Sequence, residues 1–100
     1  MPTVFVVQDP QDKNILPARD HGTLLVMLQH SDIAKGTEHC IERMAKLLQD
    51  MQQGDFILPI GDPVLIGIAF HMAFTLLEGR VKVLRWNREK YTYNPETLRI

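Results

Sequence analysis

One hundred residues, 45% hydrophobic and 23% charged with a formal net charge of −1, describe one globular domain able to bury a little over ~60% of its unfolded surface. These totals exclude a disordered chain, and the near-neutral balance argues against a protein whose main work is coating nucleic acid. A single cysteine, Cys40, excludes an intramolecular disulfide and with it a secreted, stapled scaffold, so a reducing compartment is expected.

The start, "MPTVFVVQDPQD", has no basic region ahead of a sustained apolar core and does not read as a signal peptide. "TVFVVQ", Thr3 to Gln8, is short and β-branched, and "DPQDKN" behind it is turn chemistry, so the first element is a strand. A polar loop leads to "TLLVMLQ", Thr23 to Gln29. Gly22 before it and "HSDIAKG" after it hold this run to strand length, although Leu and Met also suit a helix. "TEHCIERMAKLLQDMQQG" predicts an amphipathic helix. Thr37 stands at its cap, Ile41, Met44, Ala45, Leu48 and Met51 share one face, Glu42 and Lys46 pair on the other, and Gly54 stops it.

"DFILPIG" has almost no polar residue, as expected of a parallel strand covered on both faces, with Pro59 marking the end of its pairing. Asp62 then takes the N-cap and Pro63 the first position of a helix that reaches Glu78, with Gly79 to end it. Val64 to Leu77 is apolar nearly all round, so this helix is expected to be mostly buried, with His71 in the core or at a subunit contact. The run is fourteen residues long and contains His71 and Thr75, whereas a membrane-spanning helix needs ~20, so a cytoplasmic location follows as the expectation. "RVKVLRW" alternates charge with apolar bulk as a half-exposed strand does. Asn87 to Lys90 turn into "YTY", and Asn94-Pro95 breaks that strand before the closing "TLRI".

The fold expected from this order is α/β: a single domain over residues 1–100, with a mixed sheet of four to five strands, two crossover helices and a C-terminal antiparallel hairpin. Charge is uneven along it. Residues 80–100 carry six bases, Arg80, Lys82, Arg85, Arg88, Lys90 and Arg99, against Glu89 and Glu96, while the rest of the chain is acidic.

Several groups invite a functional reading. Helix N-termini at the carboxyl ends of strands attract anions, which makes Gly61 and Asp62 a candidate ligand site. The chemistry there favours a plain capped helix start, because one glycine is not a glycine-rich loop, Pro63 lacks an N–H and Asp62 repels anions. His21, His30, His39 and Cys40 match no zinc spacing, so no metal and no cofactor are expected. Cys40 and the adjacent His39 point in different directions on a helix, which leaves the thiol as packing. The ending "RVKVLRWNREKYTY" is richer. Arg85, Trp86, Arg88, Lys90, Tyr91 and Tyr93 form a basic aromatic hairpin suited to a protein partner, to stacked nucleobases, or to a plain sheet edge guarded by charge.

An N-terminal "VFVVQ", the run "GDFILPIGDPVLIGIAFHMAF" and the ending "GRVKVLRWNREKYTY" together resemble a family of small proteins encoded by tailed bacteriophages and prophages. The resemblance covers both ends and the second half, and leaves Gln11 to Gly36 outside it. It brings no activity and no catalytic residue. It implies a viral origin and an accessory factor that binds host machinery. The function expected is therefore non-enzymatic: binding a host or phage protein in the host cytoplasm, with a homodimer expected from the apolar helix. Nucleic-acid binding through the hairpin is the alternative, followed by a small ligand at Asp62.

Overall fold

A computed structural model describes all residues, 1–100. Five strands form one sheet in the order β2-β1-β3-β4-β5: β1 (Thr3–Gln8), β2 (Thr23–Leu28), β3 (Phe56–Leu58), β4 (Arg80–Asn87) and β5 (Thr92–Arg99). β1 lies between β2 and β3, β3 pairs with β4, and all these pairings are parallel. β5 returns antiparallel on β4, so the α/β class, the mixed sheet and the C-terminal hairpin are as the sequence predicts.

β1 is buried on both faces because strands flank it and the alternation of its side chains feeds two cores. Phe5 and Val7 join Ile57, Val81 and the apolar faces of α2 (Thr37–Leu48) and α3 (Pro63–Leu76) on one side. Val4 and Val6 join Phe56, Leu58, Leu84 and Tyr93 on the other. That second face has no α-helix. It is covered by residues 9–22, which carry β1 to β2 through a 3₁₀ turn at Leu16–Asp20 and plant Ala18 in the core. The 3₁₀ turn touches both β2 and β5, near opposite edges of the sheet, so the sheet curls around it.

Several boundaries differ from expectation. A short helix, α1 (His30–Ala34), fills the segment read as a turn cluster. α2 is capped by Gly36 rather than Thr37, and it ends at Leu48; Gly54, at φ +100°, serves the turn into β3 instead. The earlier stop lets Met51 turn back into the core, its N–H on the Leu48 carbonyl at 2.9 Å. The buried face of α2 is centred on Cys40, Met44 and Leu48, Ala45 is exposed, and Glu42 and Lys46 form no ion pair.

β5 runs straight through Asn94-Pro95. Ile100 N–H donates to the Gly79 carbonyl at 2.9 Å, and in an antiparallel pair such bonds recur at alternate residues. Pro95, opposite Leu84, therefore directs its missing N–H away from β4, where an edge strand loses nothing.

α3 is the larger correction. Only Leu65, Ala69 and Ala73 of its residues are buried, His71 is exposed, and Val64 and Leu76 are 64% and 43% exposed. The reason is the single helical layer. α2 and α3 share one face of the sheet, the Gln11–Asp20 stretch covers the opposite face, and nothing lies over α3. No helix of the protein is long and apolar enough to cross a membrane.

Candidate functional site

The hairpin that carries most of the predicted partner residues is built by local rules. Asn87 ends β4 and its side-chain oxygen accepts from Glu89 N–H at 3.0 Å and Lys90 N–H at 3.2 Å, which closes the turn. Tyr91 follows at φ +52°, a left-handed conformation that a large L residue adopts at a cost. The result is an aromatic group on one face. Trp86 and Tyr93 sit directly opposite each other in the β4–β5 register with ring centroids 5.0 Å apart, and Tyr91 meets Trp86 edge-on at 6.3 Å. Tyr93 is 7% exposed and burial pushes its phenol pKa up, whereas Trp86 is 44% exposed and Tyr91 74%.

These rings form one wall of an open cleft of about 970 Å³. Leu58, Pro59 and Ile60, where the chain leaves β3, form the facing wall, and Lys13, Asn14 and Pro17 of the β1–β2 connection close it above. The cleft also bends round β4 to the helical side, where Phe70, Val83 and Leu98 line it. Its volume falls in the range of clefts that hold ligands.

The cations are available. Lys13 and Arg88 make no ion pair, and Arg85, 68% exposed, holds Glu96 only loosely at 3.8 Å. His21 anchors the covering segment to the hairpin, its Nε2 donating to the Tyr93 carbonyl at 2.9 Å and its ring edge-on to Phe56 at 5.8 Å.

Of the residues singled out from sequence, Arg85, Trp86, Arg88, Tyr91 and Tyr93 line the cleft and Lys90 does not. The wall formed by Leu58 to Ile60 and the lid at Lys13 and Pro17 were not anticipated. Pro59 was the one sequence signal for them, as the mark of a strand that ends early.

The Gly61–Asp62 junction borders this cleft, since Lys13 and Ile60 line both the cleft and the pocket at Gly61. Asp62 caps α3, accepting Val64 N–H at 2.9 Å, and its own N–H donates to the Gln8 side chain at 3.0 Å. Gly61, at φ +129°, lies so close to Gln8 that an added Cβ would sit 2.5 Å from the Gln8 Cβ. The Asp62 and Val64 N–H groups that an anion would use are thus occupied, and Pro63 has none to offer. Beside the junction a polar pocket of about 310 Å³, lined by Gln8, Asp9, Asp12, His30 and Gly61, marks the carboxyl ends of β1 and β3, where the strand order reverses.

The remaining polar cluster went unseen in sequence. Asp32, 8% exposed, accepts Gln29 N–H at 2.8 Å, holds His39 Nε2 at 2.8 Å and lies 3.4 Å from Arg43 Nε, which also donates to the Met27 carbonyl. The His39 bond and the Gln29 N–H lower the Asp32 pKa against the opposing effect of burial. With the Gln29 side chain accepting the Asp32 N–H in return, this is a capping box for α1 extended to α2. Cys40 is buried beside it, its Sγ 3.4 Å from the Asp32 carbonyl, and burial raises its thiol pKa. His21, His30 and His39 lie in three different places, and no three His, Cys, Asp or Glu side chains come together as metal ligands.

Fold and cleft together define the class: an open α/β domain of strand order 2-1-3-4-5 whose last strand reverses into an edge hairpin and whose main cleft flanks that hairpin. By sequence, the chain belongs to the Phage Pam3 gp32-like protein family, which matches it over residues 2–100. The match includes Gln11 to Gly36, the stretch that the resemblance noted from sequence left out, and the phage origin is as expected. No curated protein and no solved structure matches the chain.

Proposed function

We propose that this phage protein is a non-enzymatic accessory factor that acts by binding another protein, of the host or of the virus, in the cleft beside β4. One observation carries the reading: the cleft sets an apolar and aromatic floor under unpaired cations, and its fifteen lining residues include no Ser, Cys, His, Asp or Glu to pair with Lys13, Tyr91 or Tyr93 as a nucleophile and base. Trp86, Tyr91 and Arg88 belong to the residue types that dominate protein interfaces, and Trp86 packs on a buried Tyr93.

The test is affinity capture from host lysate with nuclease treatment, comparing the protein with its Trp86→Ala and Arg88→Glu variants. A protein captured after nuclease and lost with both variants is the expected result. Capture that vanishes with nuclease overturns it.

The same rings and cations favour a second reading, single-stranded nucleic acid stacked on Trp86 and Tyr91. It requires oligonucleotide affinity that falls steeply with salt, and about three contacts at Lys13, Arg85 and Arg88 set the slope. We also propose that the uncovered side of α3, where Val64, Gly67, His71 and Thr75 are exposed, joins two copies as a homodimer.

A further inference from the structure

We infer that the cleft takes its protein partner by strand addition: an extended, acidic segment pairs with the open edge of β4 at Leu84 and Trp86, in line with the end of β3. This rests on the reading that the cleft binds a protein, and it adds the chemistry of recognition.

The parity of β4 fixes which main-chain groups are in play. Because Ile100 N–H bonds the Gly79 carbonyl, the odd residues of β4 face β5, and Arg80, Lys82, Leu84 and Trp86 face β3. The β3–β4 ladder stops at Ile57↔Val83. Continued by one step, it would need an N–H from Pro59 for the Leu84 carbonyl, and Pro59 has none. The chain then swings toward β1, where Gly61 packs on Gln8 and Asp62 N–H donates to the Gln8 side chain. No hydrogen bond outside the ladders reaches Leu84 or Trp86. The Leu84 carbonyl and the Trp86 N–H and carbonyl are therefore left in strand geometry, on the floor of a cleft that wraps around them.

Such an edge is a template for another chain. An extended segment of three residues has the donors and acceptor to satisfy all three groups. Alternate side chains of that segment fall on opposite faces, against Trp86 and Tyr93 on one and Phe70 and Val83 on the other, which explains why the cleft is apolar on both sides of β4. Lys13 and Arg88, unpaired at its rim, select acidic residues in the occupant. Vacant main-chain groups at strand spacing favour a polypeptide over a nucleic acid, which would engage the rings and cations alone.

The experiment begins by panning a displayed library of short random peptides against the protein and, in parallel, against a Lys13→Glu, Arg88→Glu double variant, whose changes lie on the surface. Expected is enrichment, on the unaltered protein only, of sequences that place Asp or Glu beside β-branched or aromatic residues. The best peptide, made synthetically, should move the Trp86 amide resonance.

Two further versions of it carry N-methyl groups on the odd or on the even amides. A strand bonds through alternate residues, so one version should lose more than ~10-fold in affinity and the other should keep it. If Trp86→Ala abolishes binding but neither methylated version does, the cleft binds proteins and strand addition is overturned. If no peptide is enriched over the double variant, or an oligo-dT strand binds where peptides do not, both readings fall.

Discussion

Tyr91 places a bulky ring at a backbone position that glycine or asparagine adopts more cheaply. Tyr91→Gly should therefore stabilise the protein by about 1 kcal/mol in chemical denaturation, while weakening whatever binds beside Trp86. Asp32 gives the fold an acid limb. Its folded-state pKa lies below the unfolded value, so its contribution is present above the ordinary carboxylate range and is lost as pH falls through the folded value. The urea midpoint should drop below about pH 4, and Asp32→Asn, less stable at neutral pH, should show a flatter acid limb. Tyr91 stood out in the sequence as an aromatic of the hairpin, but its left-handed backbone did not, and Asp32 was not legible at all. Asp32 sits in "HSDIAKG", a cluster rich in turn formers, and the Gln29–Asp32 pairing differs from the usual Ser/Thr with Glu of a capping box.

At the scale of elements, pattern succeeded where one neighbour decides and failed where a layer decides. Strands β1 and β2, the capped start of α3 at Asp62 and the turn at Asn87 are local matters, and the sequence placed them. α3 reads as buried on every side because nearly all its residues are apolar, yet burial depends on what lies above it, and its amphipathic partner α2 lies beside it. Leu65→Ala should accordingly cost ~2–5 kcal/mol. In the monomer, at concentrations below those of self-association, Leu76→Ala and His71→Ala should each cost under ~1 kcal/mol; losses that grow with protein concentration would place these residues in the dimer contact. Pro95 misled for a related reason: a proline breaks a strand only when its N–H is owed to a neighbour, and parity across β4 decides that.

For the whole molecule, the sequence carried the α/β class and the aromatic wall of the cleft but not the cleft itself. Its other wall exists because β3 is three residues long and β4 eight, a difference that emerges only when the two are aligned in one sheet. Self-association through α3 also belongs to this scale. Sedimentation at micromolar concentration should show a dimer, and Val64→Glu, at an exposed position of α3 outside the cleft, should shift it to monomer; a monomer at all concentrations would end that proposal. The short β3 has one more consequence. The sheet's two parts, β2 with β1 and β4 with β5, are joined through a strand held to β4 at only two register positions, whereas β4 and β5 hold each other along their full length. The sheet therefore has a seam, and the hairpin should open along it as a unit before the rest of the protein unfolds. Native-state amide exchange should find β4 and β5 sharing a single opening free energy below that of β1, and the hairpin should behave as a flap whose closing is completed by whatever strand lies down beside it.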